Sequence, residues 1–345
     1  MQKGQFVKNI GANDSVEALF VIAEASQQQA KNGPFWRLVL KDATGQLDAK
    51  IWSPLSLEIP ALTAGQIALV RGRASLYRDQ VQLTIEGIAL VPQDQLEQVA
   101  LEDFMPSSPR PISVMQEELI SFIRQEFTYA PWRKLVLRVF THEAIARRFC
   151  LSPAAKGVHH AYVGGLLEHT LGVATMAKTM AERYPQLDKQ TLLAGALFHD
   201  LGKIEEFSGG LVNDYTDAGR LMGHIELGLE LLAPFFAKAT VEPALLQHVK
   251  HLILSHHGQP EFGAARIPQT AEAFALHYAD NMDAKMAQCR QLFEDVPAET
   301  GWTPYQATLG RFMHKAFKTP DDEEKPEKAR PRKVVQEECL SLLKV

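Results

Sequence analysis

The chain has 345 residues, 46% of them hydrophobic and 22% charged, with a formal net charge of −5. That length predicts two or three domains with sizeable cores, and the mild acidity excludes a protein that works through an overall basic surface, though not one with a local basic groove. Cys150, Cys289 and Cys339 lack metal-like spacing and read as reduced thiols. With no signal-peptide pattern and no long apolar run, a cytoplasmic protein without a membrane span is expected.

Residues 1–95 read as β. Phe35 to Asp42 alternates in part, Ala43-Thr44-Gly45 makes a turn, and Gln46 to Trp52 follows as the partner strand. Ile67 to Ala74 is a further strand, and Tyr77-Arg78-Asp79-Gln80 turns into Val81 to Ile85. Short strands at this spacing predict a small five-stranded barrel, similar to the OB-fold of nucleic-acid-binding proteins. Its exposed side is expected to present Trp36, Trp52 and Tyr77 among Arg37, Lys50, Arg71, Arg73 and Arg78. Aromatic rings stack on bases while the cations follow phosphates. The competing reading makes the rings core and the cations a solvated face, and a one-residue shift of register interchanges the two.

Residues 96–112 read as a linker, with Pro106, Pro109 and Pro111 close together. Helices are expected over Val114 to Phe127 and Pro131 to Phe149, and an all-α domain over 113–317. Residues 318–345 form a charged tail, poor in apolar residues and expected to be partly disordered, with a small amphipathic helix possible from Val334 onward.

Ala196-Leu197-Phe198-His199-Asp200-Leu201-Gly202-Lys203 organises the helical part. Thr191 to Leu201 carries an apolar stripe at helical spacing, with Asp188 as N-cap and Gly202 as the stop. His199 and Asp200 would then end a buried helix, pointing about 100° apart. A buried carboxylate needs a cation or a strong hydrogen-bond partner. Further candidates flank the pair. His169 lies in an apolar helix, His224 follows Gly223, His256-His257 closes a helix that Pro243 opens, and Asp280 lies in a helix capped by Thr270.

The order His, His-Asp, His, His-His, Asp resembles the HD-domain metal-dependent phosphohydrolase superfamily. The stretch from His159 to Thr170, with Ser255-His256-His257-Gly258 and Leu276-His277-Tyr278-Ala279-Asp280, is similar to motifs of the YhaM family of 3′→5′ exoribonucleases. The resemblance spans roughly residues 1–315. It implies an OB-type barrel followed by an all-α HD domain, and a divalent-metal site. His169, His199, Asp200 and Asp280 would hold one ion, and Asp200 would bridge to a second held by His224 and one or both of His256 and His257. Imidazoles with carboxylates suit Mn, Fe, Co or Zn better than Mg, with Mn expected first. A metal-activated water would be the nucleophile. Lys203 would hold the scissile phosphate, or else face the helix dipole. His159 and His160 would touch substrate phosphates or shape a loop, and Asp283 and Lys285 would lie outside the metal shell.

The activity the resemblance implies is hydrolysis of single-stranded RNA, with DNA as a second substrate, from the 3′ end to nucleoside 5′-monophosphates. A phosphohydrolase of nucleotides or cyclic dinucleotides, and a non-catalytic nucleic-acid-binding protein, are the alternatives. Oligomeric state, homo-oligomer included, is left open.

Overall fold

The computed structural model describes residues 2–317 and 319, apart from 60, 79, 93, 94, 97, 98, 101, 102, 157–159, 210–212, 295 and 297–299. The charged tail and His159 therefore lie outside the described residues. Among those described, the chain divides into two compact units. One runs to Ser107 and adds Phe207–Tyr215; the other comprises Ser108–Glu206 and the chain from Thr216.

The first unit is a closed barrel. Its strands are β1 (Ser15–Ala30), β2 (Gly33–Asp42), β3 (Gly45–Ile51), β4 (Ile67–Tyr77) and β5 (Gln80–Leu90), in the order β1-β2-β3-β5-β4. β1 closes it by pairing with both β2 and β4, and β3 runs parallel to β5. This is a five-stranded, OB-like barrel, as the strand spacing predicted. A short helix, α1 (Leu55–Glu58), follows β3. β1 was not delimited from sequence, because Ala18 to Ala23 is a continuous apolar run without alternation. It bulges between Ile22 and Glu24, where its pairing with β2 shifts register.

Strand parity decides which side chains reach the barrel interior. Trp36, Leu38 and Leu40 share one face of β2 and are buried in the core with Ala49, Ile51 and Val70. Trp36 is only 9% exposed, which corrects its expected place on the nucleic-acid face. Neighbours on a strand point to opposite sides, so Trp36 and Arg37 cannot share one. Trp52, just past β3, and Tyr77, ending β4, are 41% and 53% exposed.

The expected linker does not behave as one throughout. Val99 and Phe104 are buried against Leu19, Val21 and Ile67 on the outside of the barrel. Apolar residues between polar and proline-rich stretches were read as connection, whereas they cover an apolar patch of β1 and β4.

The second unit is helical: α2 (Ile112–Glu126), α3 (Ala130–Phe140), α4 (Glu143–Leu151), α5 (Gly165–Arg183), α6 (Lys189–Phe198), α7 (Lys203–Glu206), α8 (Asp217–Ala237), α9 (Pro243–Ser255) and α10 (Ala271–Glu294). The helix expected over Pro131 to Phe149 is two, since the chain turns at Thr141 and His142. α6 is buried from Thr191 to Phe198. Fully burying each of its leucines or its phenylalanine contributes about 1.5–3 kcal/mol. α5 crosses it with Gly165 to Leu171 all buried, and α9 and α10 pack alongside. No helix among the described residues is long and apolar enough to cross a membrane.

Candidate metal centre

The site is built on helix ends. Asp188 caps α6, accepting from the N–H groups of Gln190 and Thr191. The helix ends at Phe198, so His199 and Asp200 occupy the turn beyond it rather than its last turn. Gly202 is more than a stop. A Cβ there would stand 1.9 Å from the carbonyl oxygen of His224. Only glycine lets the two ligand-bearing segments approach so closely. α8 is kinked at Gly223 (φ 75°), and the kink turns His224 toward Asp200. His256 and His257 follow α9, where Gly258 (φ 81°) would place a Cβ 2.4 Å from the His277 ring. His277 donates through Nδ1 to the carbonyl of His256 at 2.8 Å and fixes that turn.

These segments converge on Asp200, which is 2% exposed. Its Oδ2 lies 3.4 Å from the Nε2 atoms of both His169 and His199, which are 3.3 Å apart. Asp280 Oδ1 stands 3.2 Å from His169 Nε2 and 3.9 Å from His199 Nε2. The other oxygen of Asp200, Oδ1, faces His224 Nε2 at 3.4 Å and His256 Nε2 at 3.6 Å. His224 and His257 bring their Nε2 atoms to 3.1 Å. One carboxylate thus sits between two groups of imidazoles. All seven residues expected to bind metal come together in this cage.

The outer nitrogens explain why the inner ones face inward. His199 Nδ1 lies 2.9 Å from the Ala196 carbonyl, and His256 Nδ1 2.7 Å from that of Ile253. A carbonyl only accepts, so both Nδ1 atoms donate, and in the neutral ring Nε2 keeps its lone pair. His169 Nδ1 donates to Asp283 Oδ2 at 2.7 Å, and His224 Nδ1 to Glu206 Oε1 at 3.2 Å. This outer ring of acceptors fixes tautomer and orientation as at a metal-ligating histidine. His256 Nε2 is buried without a hydrogen-bond partner among the described residues. Such an orphaned acceptor fits a cation. The spacing fits as well, because ligands about 2.0–2.2 Å from one ion stand about 3–3.5 Å from each other.

The electrostatics favour a cation in the same place. Burial alone would raise the Asp200 pKa, but Lys203, His199 and His169 outweigh it and hold the carboxyl well below its usual range. Burial would likewise raise Asp280, and His169 and His199 keep it depressed. His169 is pulled down by burial, yet the carboxylates of Asp200, Asp280 and Asp283 around it lift it well above the ordinary imidazole value. A cation in the cage would displace a proton from such a ring. Burial beside His256 and His224 pushes His257 down to about 3, which favours the neutral imidazole a cation would need.

Lys203 places Nζ 2.7 Å from Asp200 Oδ2, and this ion pair raises its pKa against the effect of burial. His160 departs from expectation. It is 5% exposed, with Nδ1 2.9 Å from the Tyr162 hydroxyl and Nε2 3.0 Å from Asp283 Oδ2. Both ring nitrogens are engaged, so it braces Asp283 behind His169 and does not present itself to substrate phosphates. Asp283 accepts from the rings of His160 and His169; burial would raise its pKa, but those two histidines bring it to about 2. Glu206, 7% exposed, was missed; it follows Lys203 without any periodic signal.

On the barrel, Trp52 stacks on Phe35 with centroids 4.7 Å apart. Lys50 Nζ lies 5.4 Å from the Trp52 ring and 5.2 Å from that of Tyr77, so one cation spans two exposed rings. Arg78 also lies 5.4 Å from the Tyr77 ring centroid. Arg37 pairs loosely with Asp48 at 3.7 Å and Arg71 with Glu17 at 3.2 Å; Arg73 is exposed beside them.

Comparisons with known proteins agree with this architecture. Residues 166–285 match the HD domain family. The chain is 34% identical over 299 residues to the 3′-5′ exoribonuclease YhaM of Bacillus velezensis (strain DSM 23117 / BGSC 10A6 / LMG 26770 / FZB42), covering 86% of this chain and 92% of the relative. It is 32% identical over 328 residues to the protein of that name from Halalkalibacterium halodurans (strain ATCC BAA-125 / DSM 18197 / FERM 7344 / JCM 9153 / C-125), covering 94% and 99%. The second OB-fold domain of replication protein A from Methanococcus maripaludis is similar at 19% identity, covering 26% of this chain and 95% of that one, with a TM-score of 0.23. The last likeness is too slight to carry an argument. An HD domain preceded by a five-stranded barrel, with identity at this level along most of both lengths, places the chain in the YhaM 3′-5′ exoribonuclease family.

Proposed function

We propose that this chain is a divalent-metal-dependent 3′→5′ exoribonuclease that hydrolyses single-stranded RNA to nucleoside 5′-monophosphates, with single-stranded DNA as a second candidate substrate. The observation that carries the reading is Asp200, whose two oxygens face separate imidazole groups, in a chain of this family. His169, His199, Asp200 and Asp280 would hold one ion, and Asp200, His224, His256 and His257 a second. The nitrogen-rich set favours Mn, with Fe, Co or Zn behind it and Mg last. When bound, paired ions supply an activated water and neutralise charge on the phosphate.

The chain's own residues do the rest. Asp283 and Glu206 hold the imidazoles of His169 and His224 in the tautomer that faces inward. Lys203 keeps a positive charge beside Asp200, where it would stabilise charge developing on the scissile phosphate. Trp52 and Tyr77 would stack bases, while Arg37, Lys50, Arg71, Arg73 and Arg78 would follow the backbone. The exposed pairs of Arg37 and Arg71 are weak and yield to phosphate. Reduced thiols and the lack of a membrane-spanning helix among the described residues support a cytoplasmic setting.

The test is a 5′-labelled single-stranded RNA incubated with the protein and Mn. A ladder shortening from the 3′ end, with nucleoside 5′-monophosphates released, is expected. Turnover of mononucleotides or cyclic dinucleotides alone would sink the proposal.

A further inference from the structure

Thr300 to Thr319 contains no acidic residue, although the whole chain is net negative. The same stretch carries Trp302, Tyr305, Phe312 and Phe317, interleaved with Arg311, His314 and Lys315. It is folded. Trp302 pairs with His314 and Gln306 with Arg311 as antiparallel bridges. Thr303, 4% exposed, donates its N–H to the Met313 carbonyl at 2.9 Å and accepts the Met313 N–H on its hydroxyl at 3.0 Å. Lys315 N–H donates to the Gly301 carbonyl at 2.8 Å. The hairpin is tied to the end of α10 by Gln288, whose amide donates to the Thr308 hydroxyl, and by Lys315 Nζ on the Phe293 carbonyl at 3.0 Å.

A fixed hairpin of this kind would be expected to fold its rings inward, and it does not. Trp302, Tyr305, Phe312 and Phe317 are 55%, 57%, 59% and 97% exposed. Trp302 leans on His314 with centroids 4.7 Å apart, and Tyr305 meets Phe312 edge-on at 5.3 Å, so each pair leaves ring surface free. Exposed aromatic surface held in place marks an interaction site. Its composition selects the occupant. The rings alternate with cations, and no carboxylate is present to repel a polyanion, which is the combination that takes unstacked bases and their phosphates.

We infer that the 301–317 hairpin is a second contact for single-stranded nucleic acid, besides the barrel face, with its rings stacking bases and Arg311, His314 and Lys315 meeting phosphates. The inference rests on the proposed substrate class. The test is fluorescence anisotropy with a labelled single-stranded oligouridylate and the full chain, in EDTA so that no hydrolysis intervenes. Trp302→Ala/Tyr305→Ala/Phe312→Ala is expected to keep its circular dichroism and to bind at least about fivefold more weakly, the low end for one stacked base. Arg311→Gln/Lys315→Gln is expected to flatten the slope of log K against log salt by about 1.4, roughly 0.7 for each phosphate released.

Unchanged affinity together with an unchanged salt slope would overturn the inference. So would a triple variant that changes molecular mass in sedimentation while keeping its affinity, because the hairpin would then join protein to protein. A wild-type chain that fails to bind the oligonucleotide overturns it as well. If instead the wild type binds, the variants lose binding, and no RNA is degraded, the hairpin stands and the exonuclease reading falls.

Discussion

Two buried carboxylates, one in each unit, show how a polar group inside a protein reveals its purpose. Asp42 in the barrel is fully buried, and every direction around it is answered. It accepts from the N–H of Val7 at 2.8 Å, the N–H of Thr44 at 2.8 Å and the Thr44 hydroxyl at 2.6 Å, and it pairs with Lys3 Nζ at 3.1 Å. Nothing is left for a ligand, so its work is to hold the first residues of the chain against the barrel. Asp200 is buried to almost the same degree, but among the described residues Lys203 is its one close donor, at 2.7 Å. The remaining neighbours are imidazole nitrogens at 3.4–3.6 Å, too far for good hydrogen bonds and crowded against one another. A satisfied buried carboxylate is architecture; one ringed by inward-facing imidazoles has the surroundings a cation would complete.

The comparison can be broken most sharply at Asp200. Asp200→Asn keeps the shape and removes the charge. RNA hydrolysis is expected to fall to background and elemental analysis to show loss of bound metal, with circular dichroism unchanged. Full metal content with full turnover would place Asp200 in the same class as Asp42. The reverse experiment is Asp42→Ala, which removes the counter-charge of a Lys3 ammonium only 5% exposed and leaves it the Gln5 carbonyl. Removing one partner of a buried pair costs about 3–5 kcal/mol, to be read from urea unfolding, while metal content stays the same. A drop in metal content without loss of stability would invert the assignment. The smallest effect sharpens a second contrast, between the buried Trp36 and the exposed Trp52. Trp52→Ala is expected to weaken oligonucleotide binding by about 1 kcal/mol, the low end for a stacked base, because Phe35 already covers one face of its ring. Unfolding should barely change, and a large loss of stability would show Trp52 to be a core residue like Trp36.

The sequence by itself determined most of the helices and the candidate ligands. Periodicity is local, so the apolar stripe of α6, the cap at Asp188 and the proline opening α9 could be read directly. The order of histidines and aspartates carried the family resemblance, and with it all seven cage residues. Tertiary structure alone decided what depends on partners distant in the chain. Which face of β2 points inward followed from pairing with β1 and β3, and it placed Trp36 in the core. The coverage of β1 by Val99 and Phe104 required knowing where that strand lies. Glu206 behind His224, and His160 braced on Asp283, are hydrogen-bond partners brought together by folding across 18 and 123 residues of sequence. No spacing along the chain encodes such contacts, because only the packed helices set the distances between them.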